Sequence, residues 1–294
     1  MQGSLWRQVS GLLDSEVLAV HAVSGGCIND AYHCQLADKR EVFVKHNKNC
    51  DAALFATEAQ GLAWLAQANA LPVPMVLGHG DDFLVLEYVE PGPSVVDFDE
   101  RLGRGLAKLH QFGTSTFGWP QDNFLATLSQ DNHSEDRWST FYGERRLRPL
   151  VRLAIDKGLA PPSWSQRFEA LLTRMDQLVG PTEPPSRLHG DLWSGNIHRS
   201  KNGGPMLIDP AVYGGHREID LAMLSLFGNP SPRFYAAYDE AWPRSDGHQE
   251  RVSLYQLYPL LAHVNLFGGS YVALCDEALA HWEEFSTSPA ANTK

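Results

Sequence analysis

Leu188-His189-Gly190-Asp191-Leu192-Trp193-Ser194-Gly195-Asn196, followed by Met206-Leu207-Ile208-Asp209, decides how this chain is read. An Asp is followed, after a gap of four residues, by an Asn, and a second Asp closes an apolar run. Phosphoryl transfer to a hydroxyl uses that order of parts: one carboxylate faces the acceptor, while an amide and a later carboxylate hold metal ions. A tight loop can present Asp191 and turn Asn196 back toward the phosphates, and a neighbouring strand then delivers Asp209 beside it. A single His-x-Asp string in a polar turn is common by chance. Three base-and-metal positions at this spacing are not. Asp191 is expected to orient or deprotonate the acceptor hydroxyl, and Asn196 and Asp209 to hold Mg²⁺ with hard oxygen ligands. His189 reads as a brace for the loop rather than a base.

Upstream segments supply the remaining parts in order. Ser24-Gly25-Gly26-Cys27-Ile28-Asn29-Asp30 lies between the first two expected strands, and its paired glycines let backbone amides press against phosphates without a Cβ in the way. Gly25, Gly26 and Cys27 are therefore expected to cover the nucleotide. Lys45 ends the run Val42-Phe43-Val44-Lys45, where an ammonium can reach the α- and β-phosphates, and Glu58 on the next helix is its expected partner. Glu87 and Val89 flank Tyr88 in an expected hinge and are the adenine-contact candidates, through backbone groups; Tyr88 reads equally well as a packing residue. Asp220, in Arg217-Glu218-Ile219-Asp220, reads as a brace for the catalytic loop. Neither a Walker A sequence nor a GxGxxG fingerprint is present, so P-loop and dinucleotide-fold readings lose their main support.

Periodicity places these parts on two unlike halves. Val17–Val23, 31–36 and 41–45 read as strands, 54–69 as a helix with Leu54, Leu62 and Leu65 on related turns, and 83–89 as a continuous apolar strand. Pro91-Gly92-Pro93 is the strongest punctuation and marks the expected boundary between an ATP-binding lobe (1–90) and a catalytic and acceptor-binding lobe (91–294). Beyond it Asp97 is positioned to cap a helix carrying Leu102, Leu106 and Leu109, and Ser163 with Gln166 forms a capping-box pattern. The polar tail 286–294 is expected to fray. The fold class is α+β: a small β-rich lobe, a hinge and a larger, mainly helical lobe.

Bulk properties agree with an enzyme of that size. The chain has 294 residues, 43% hydrophobic and 20% charged, with a formal net charge of -11. That acidity disfavours nucleic acid and anionic membrane as partners, both of which rely on clustered Lys and Arg. Four cysteines without CxxC or zinc-type spacing, no basic-then-apolar leader and no long apolar run give the expectation of a reduced, soluble, cytoplasmic protein.

The spacing of the catalytic string resembles that of the protein kinases, with two differences. Gly190 stands where they carry Arg, which argues against control by loop phosphorylation, and Asp209-Pro210 replaces Asp-Phe-Gly. His189-Gly190-Asp191 is similar to the small-molecule kinases of the protein-kinase-like fold, the aminoglycoside phosphotransferase and choline kinase group. The full string through Asn196 resembles the fructosamine (ketosamine) kinases. That likeness extends over most of the chain: Gly25 to Asn29, the Lys45 strand, Glu58 to Leu62, Leu84 to Tyr88, Leu106 to His110, Phe117-Gly118-Trp119-Pro120 with Asp122-Asn123, Trp138 with Phe141, Arg145-Arg146-Leu147, and Ile208 to Gly214. Leu125-Ala126-Thr127 departs from it, standing where the family favours an apolar residue and glycine; this departure bears on substrate range more than on the reaction.

The resemblance implies a two-lobed protein-kinase-like fold, Mg²⁺ and ATP, and phosphorylation of a sugar hydroxyl on ketosamines, such as fructosyl- or ribulosyl-amines free or on proteins. The phosphate ester then falls off and the amine is repaired. Trp193, beside Asp191, is a candidate to stack on the sugar or alkylamine, with His216 and Arg217 as further candidates at the acceptor; for Arg217, pairing with a surface acid is an equal reading. Cys27 reads two ways, as an inert small turn residue or as a redox-sensitive thiol whose disulfide links two otherwise monomeric chains and blocks ATP. Two other functions fit the same parts: an aminoglycoside or choline kinase, and a nucleotide-binding pseudokinase. The intact set Lys45, Glu58, Asp191, Asn196 and Asp209 argues against the last.

Overall fold

In the computed structural model, which describes residues 2–23, 28–228 and 230–287, a five-stranded antiparallel sheet carries the first part of the chain. Its strands β1 (Val17–Ala22), β2 (Asp30–Leu36), β3 (Glu41–His46), β4 (Val76–His79) and β5 (Phe83–Glu87) lie in the order β1-β2-β3-β5-β4. The continuous apolar run of β5 has a physical cause: both of its faces are covered. Phe83 and Val85, with Val42 and Val44 of β3, pack on Leu5, Val9 and Leu13 of helix α1 (Gln2–Leu13). Leu84 and Leu86 point the other way and pack on Leu54, Phe55, Ala59 and Leu62 of α2 (Leu54–Ala66). Alternation along β3 therefore puts Phe43 and Lys45 on the α2 face.

The sequence expectations for β2, β3, β5 and α2 agree with these elements within a few residues. Helix α1 and strand β4 have no counterpart among those expectations. Beyond β5, residues 88–97 lead into α3 (Phe98–Phe112). Asp97 occupies the position before α3, but its side chain makes no capping bond. Ser163 does not cap either, because Pro162 already has helical dihedrals (φ -54°, ψ -26°) and displaces Ser163 into the first turn.

Three two-stranded ribbons organise the chain beyond α3: β6 (Asn123–Leu125) with β7 (Leu128–Gln130), β8 (Ser186–Leu188) with β11 (Tyr213–Gly215), and β9 (Ile197–Arg199) with β10 (Pro205–Leu207). Helices α4 (Trp138–Thr140) and α5 (Arg148–Asp156) are joined by a wide turn at Phe141–Leu147, and α6 (Ser163–Leu172) and α7 (Met175–Leu178) come after them. Helices α8 (Glu218–Phe227), α9 (Pro232–Ala241), α10 (His248–Phe267) and α11 (Ser270–Thr287) complete the chain. Their shared core is rich in aromatics: Trp138 lies 5.3 Å from Tyr142 and donates its indole N–H to the Tyr255 hydroxyl at 3.1 Å. No helix among the described residues is long and apolar enough to cross a membrane.

Candidate active site

Helix periodicity sets Glu58 four residues after Leu54 and four before Leu62, on the sheet-facing side of α2. A carboxylate buried there needs a counter-charge, and Lys45 from β3 supplies it: Nζ lies 2.6 Å from Glu58 Oε1 and 2.6 Å from Asp209 Oδ1. Burial alone disfavours the Lys45 ammonium, but the facing carboxylates outweigh it and hold its pKa above the ordinary lysine value. Gly61, one turn along α2, faces the segment after Asp209; a Cβ there would come within 3.2 Å of Val212.

Asp209 itself sits at φ 55°, a left-handed conformation that Asp tolerates better than most residues. The twist turns its side chain out of the strand direction and toward Lys45, leaving the carboxylate 43% exposed. Asn196 closes the group. Its amide nitrogen donates to the Asp191 carboxylate (3.0 Å), to the Asp191 carbonyl (2.8 Å) and to the Asp209 carbonyl (3.4 Å). These bonds use the amide nitrogen, so the amide oxygen is what Asn196 offers a cation.

The loop is held from beneath. Asp220, fully buried on the first turns of α8, accepts the backbone N–H groups of His189 (2.8 Å) and Gly190 (2.9 Å) and meets His110 Nε2 at 3.2 Å. His189 donates Nε2–H to the Ile208 carbonyl (2.9 Å), which fixes its tautomer, and Nδ1 accepts from the Asp191 N–H (3.3 Å). It thus ties the loop of Asp191 to the strand that delivers Asp209. Gly190 has φ 82°, and a Cβ on it would collide with the Ala211 carbonyl. Burial pushes Asp191 up to about 7; the nearby Asp209 carboxylate adds to the rise and the Asn196 bond opposes it.

The remaining candidates fall into four groups. Gly25, Gly26 and Cys27 lie outside the described residues. Glu87 accepts the Met75 N–H on its side chain (3.0 Å), and the Val89 carbonyl accepts from His198 Nε2 (3.1 Å). Trp193 is exposed beside Asp191, its indole lying over Gly195.

His216 and Arg217 have partners of their own. They come after the Gly215 end of β11, which pairs with Ser186, whereas Asp191 comes after the Leu188 end of β8. Both are buried. Arg217 forms a two-pronged pair with Glu183 (2.8 Å each) and lies over Trp242, and His216 stacks on Tyr255. Burial and the neighbouring Arg251 and Arg217 push His216 down to about 3, so it is neutral at physiological pH. The side chains of both are thus engaged with Glu183 and the aromatic core.

Two groups near the site are not marked by spacing, although Asn123 and Arg146 lie in segments that carry the family resemblance. A buried polar network supports the backbone after Asp209: Asn123 donates to the Val212 carbonyl (2.9 Å), Gln130 to the Ala211 carbonyl (3.4 Å), and Arg146, 4.0 Å over the Tyr213 ring, holds Asn132. On the other side Ser194 donates to the Phe227 carbonyl (2.9 Å), and Phe227 stacks on His263 (4.5 Å). Single Asn, Gln and His residues carry no periodic signal, so spacing could not find them.

The chain has close relatives among known proteins. The fructosamine kinase family model matches residues 4–283. A probable ketoamine kinase of Synechocystis is 40% identical over 85% of this chain and 85% of its own length. The chloroplastic protein-ribulosamine 3-kinase of Arabidopsis thaliana is 37% identical over 87% of this chain and 80% of its own. A Thermobifida fusca crystal structure assigned to the fructosamine-3-kinases superposes with a TM-score of 0.87 at 38% identity, covering 96% of this chain and 99% of that one. The choline kinase LicA of Streptococcus pneumoniae shares the fold alone, with a TM-score of 0.63 at 16% identity over 97% and 99% of the two chains.

Proposed function

Because the chain belongs to the fructosamine kinase family, we propose that it transfers the γ-phosphoryl group of ATP to a sugar hydroxyl of a ketosamine, the class that includes fructosyl- and ribulosyl-amines. The observation that carries this reading is the joining of Asp191, Asn196, Asp209, Lys45 and Glu58 into one hydrogen-bonded group. An intact group of this kind supports turnover over a scaffold role. We take the ATP-binding lobe to end at 90 and the acceptor-binding lobe to begin at 91, and we assign the enzyme to the cytoplasm.

Asp191 accepts the hydrogen bond of the attacking hydroxyl and aims its lone pair at the γ-phosphorus. As the new O–P bond forms, the bond from phosphorus to the bridging oxygen breaks, ADP leaves, and the hydroxyl proton passes to Asp191. In a loose transition state little base strength is required, so most of the benefit is alignment. Lys45, steadied by Glu58, places its ammonium on the α- and β-phosphates, while Trp193 offers an aromatic face to the acceptor. The exposed Asp209 carboxylate and the Asn196 amide oxygen are hard donors that suit Mg²⁺, which when bound neutralises phosphate charge. Two protein donors suffice, because Mg²⁺ takes its other ligands from phosphates and water; among the described residues no cluster of three or more His, Cys, Asp or Glu forms a dedicated metal cage.

The test is ADP release with ATP and Mg²⁺ on ribulosyl-lysine and fructosyl-lysine, beside choline and an aminoglycoside, with and without a chelator. Turnover confined to the ketosamines and lost on chelation is expected. Turnover only on choline or the aminoglycoside would overturn the assignment.

A further inference from the structure

The strand that succeeds Asn196 is bonded to the segment that succeeds β5. His198, two residues after Asn196 on β9, donates Nε2–H to the Val89 carbonyl at 3.1 Å. Three residues on, the Gly92 N–H donates to the Arg199 carbonyl at 3.2 Å, and a Cβ on Gly92 would collide with the Ser200 carbonyl. On the preceding side the Tyr88 N–H reaches the Glu41 carbonyl at 3.4 Å, and the Tyr88 ring stacks on His33 at 3.8 Å. Val89 is therefore pinned on both flanks. Its carbonyl is committed to His198, while its N–H has no hydrogen-bond partner among the described residues.

We propose that His198 is a positioning residue that sets the purine preference of the enzyme, by holding Val89 so that the segment shows the base a donor and not an acceptor. This rests on the reading of Val89 as an adenine contact. The chemistry is one of sign. Adenine presents an unprotonated N1, an acceptor that matches an unpaired backbone N–H. In the pose that sets adenine N1 against this N–H, guanine sets its N1–H there instead, a donor that would need an acceptor, and the Val89 carbonyl already accepts from the imidazole. A mismatched donor facing a donor is the kind of contact that discriminates strongly, because a desolvated polar group is left unpaired. Because His198 and Asn196 lie two residues apart on the same stretch of chain, the same bond also keeps the base end and the phosphate end of the nucleotide site in register.

The experiment is steady-state kinetics with ATP and GTP on the wild type and on His198→Ala, His198→Gln and Val89→Pro. In His198→Ala the KM for ATP is expected to rise about tenfold with kcat nearly unchanged, while the preference for ATP over GTP falls about tenfold as the Val89 carbonyl becomes available. His198→Gln, which keeps a donor at similar reach, is expected to restore both. If His198→Ala loses its fold, His198→Phe, a ring without a donor, serves in its place. An unchanged KM for ATP and an unchanged ATP/GTP ratio in a folded donor-free variant would overturn the proposal. Val89→Pro separates the two levels: weakened ATP binding there, with His198→Ala silent, defeats the role of His198 alone. A silent Val89→Pro defeats the adenine contact and the proposal with it.

Discussion

Lys45 and Asp209 form an ion pair at 2.6 Å, and the same ammonium holds Glu58 at 2.6 Å. One cation thus serves two carboxylates, one buried beneath the sheet and one open to solvent. Lys45→Met is expected to lower kcat/KM at least about 100-fold by removing the phosphate contact. It should also cost about 3 kcal/mol of stability by leaving Glu58 buried without a partner. Urea unfolding and ADP release measure the two effects. Adding Glu58→Leu should return stability but not turnover, and a double variant that regained activity would contradict the assigned role of Lys45.

Asp191 is held at a cost to the fold. Its carboxyl is pushed up to about 7 in the folded protein from an ordinary value of 3.8, chiefly by burial. The folded chain therefore keeps a proton that the unfolded chain has released. Stability from this group is complete below about pH 4 and is lost as pH rises through 7. Without nucleotide or metal, Asp191→Asn is expected to raise the melting temperature by a few degrees at pH 8 and to change it little at pH 4. The same variant should lose at least about 100-fold in turnover. A melting temperature unchanged at pH 8 would show that the carboxylate is solvated.

Asp220 supports the loop through charge that only a carboxylate can supply in this place. It accepts two successive backbone N–H groups, from His189 and Gly190. In Asp220→Asn one of these donors must face an NH₂ group. A loss of about 2–4 kcal/mol in denaturant unfolding is expected, with kcat falling more than the KM for ATP, because the displaced loop carries Asp191. Equal loss in both parameters would point to general loosening.

Ala126 occupies the turn between β6 and β7 at φ 58°, a conformation that costs an L-residue about 1 kcal/mol and glycine nothing. The departure from the family pattern at this position therefore carries a backbone cost. Ala126→Gly is expected to stabilise the protein by up to about 1 kcal/mol with kcat unchanged; a changed acceptor preference would place the turn at the substrate instead.

The parts of the site legible in sequence are those whose spacing is fixed by the reaction. Asp191, Asn196 and Asp209 announce themselves because a loop and a strand end must deliver three groups to one place. Lys45 and Glu58 emerge from strand and helix periodicity. What spacing cannot reveal is which way a residue turns after a strand ends. His216 and Arg217 follow β11 directly, and it is Glu183 and the aromatic core that take up their side chains. In α1 the buried Leu5, Val9 and Leu13 recur at intervals of four, but Gly3, Ser10 and Gly11 are weak helix formers, and β4 is interrupted by Gly78 at an irregular register with β5. Asp97 and Ser163 show the limit of cap patterns: the right residue stands near the helix start, but flanking backbone decides whether its oxygen can reach an N–H.

The most direct test of the assigned reaction is ³¹P NMR of ribulosyl-lysine or fructosyl-lysine incubated with the enzyme, ATP and Mg²⁺. A phosphate-ester resonance on the sugar is expected, appearing in step with ADP and absent with Asp191→Asn. ATP consumed without a sugar phosphate, or bound without being consumed, would contradict that assignment.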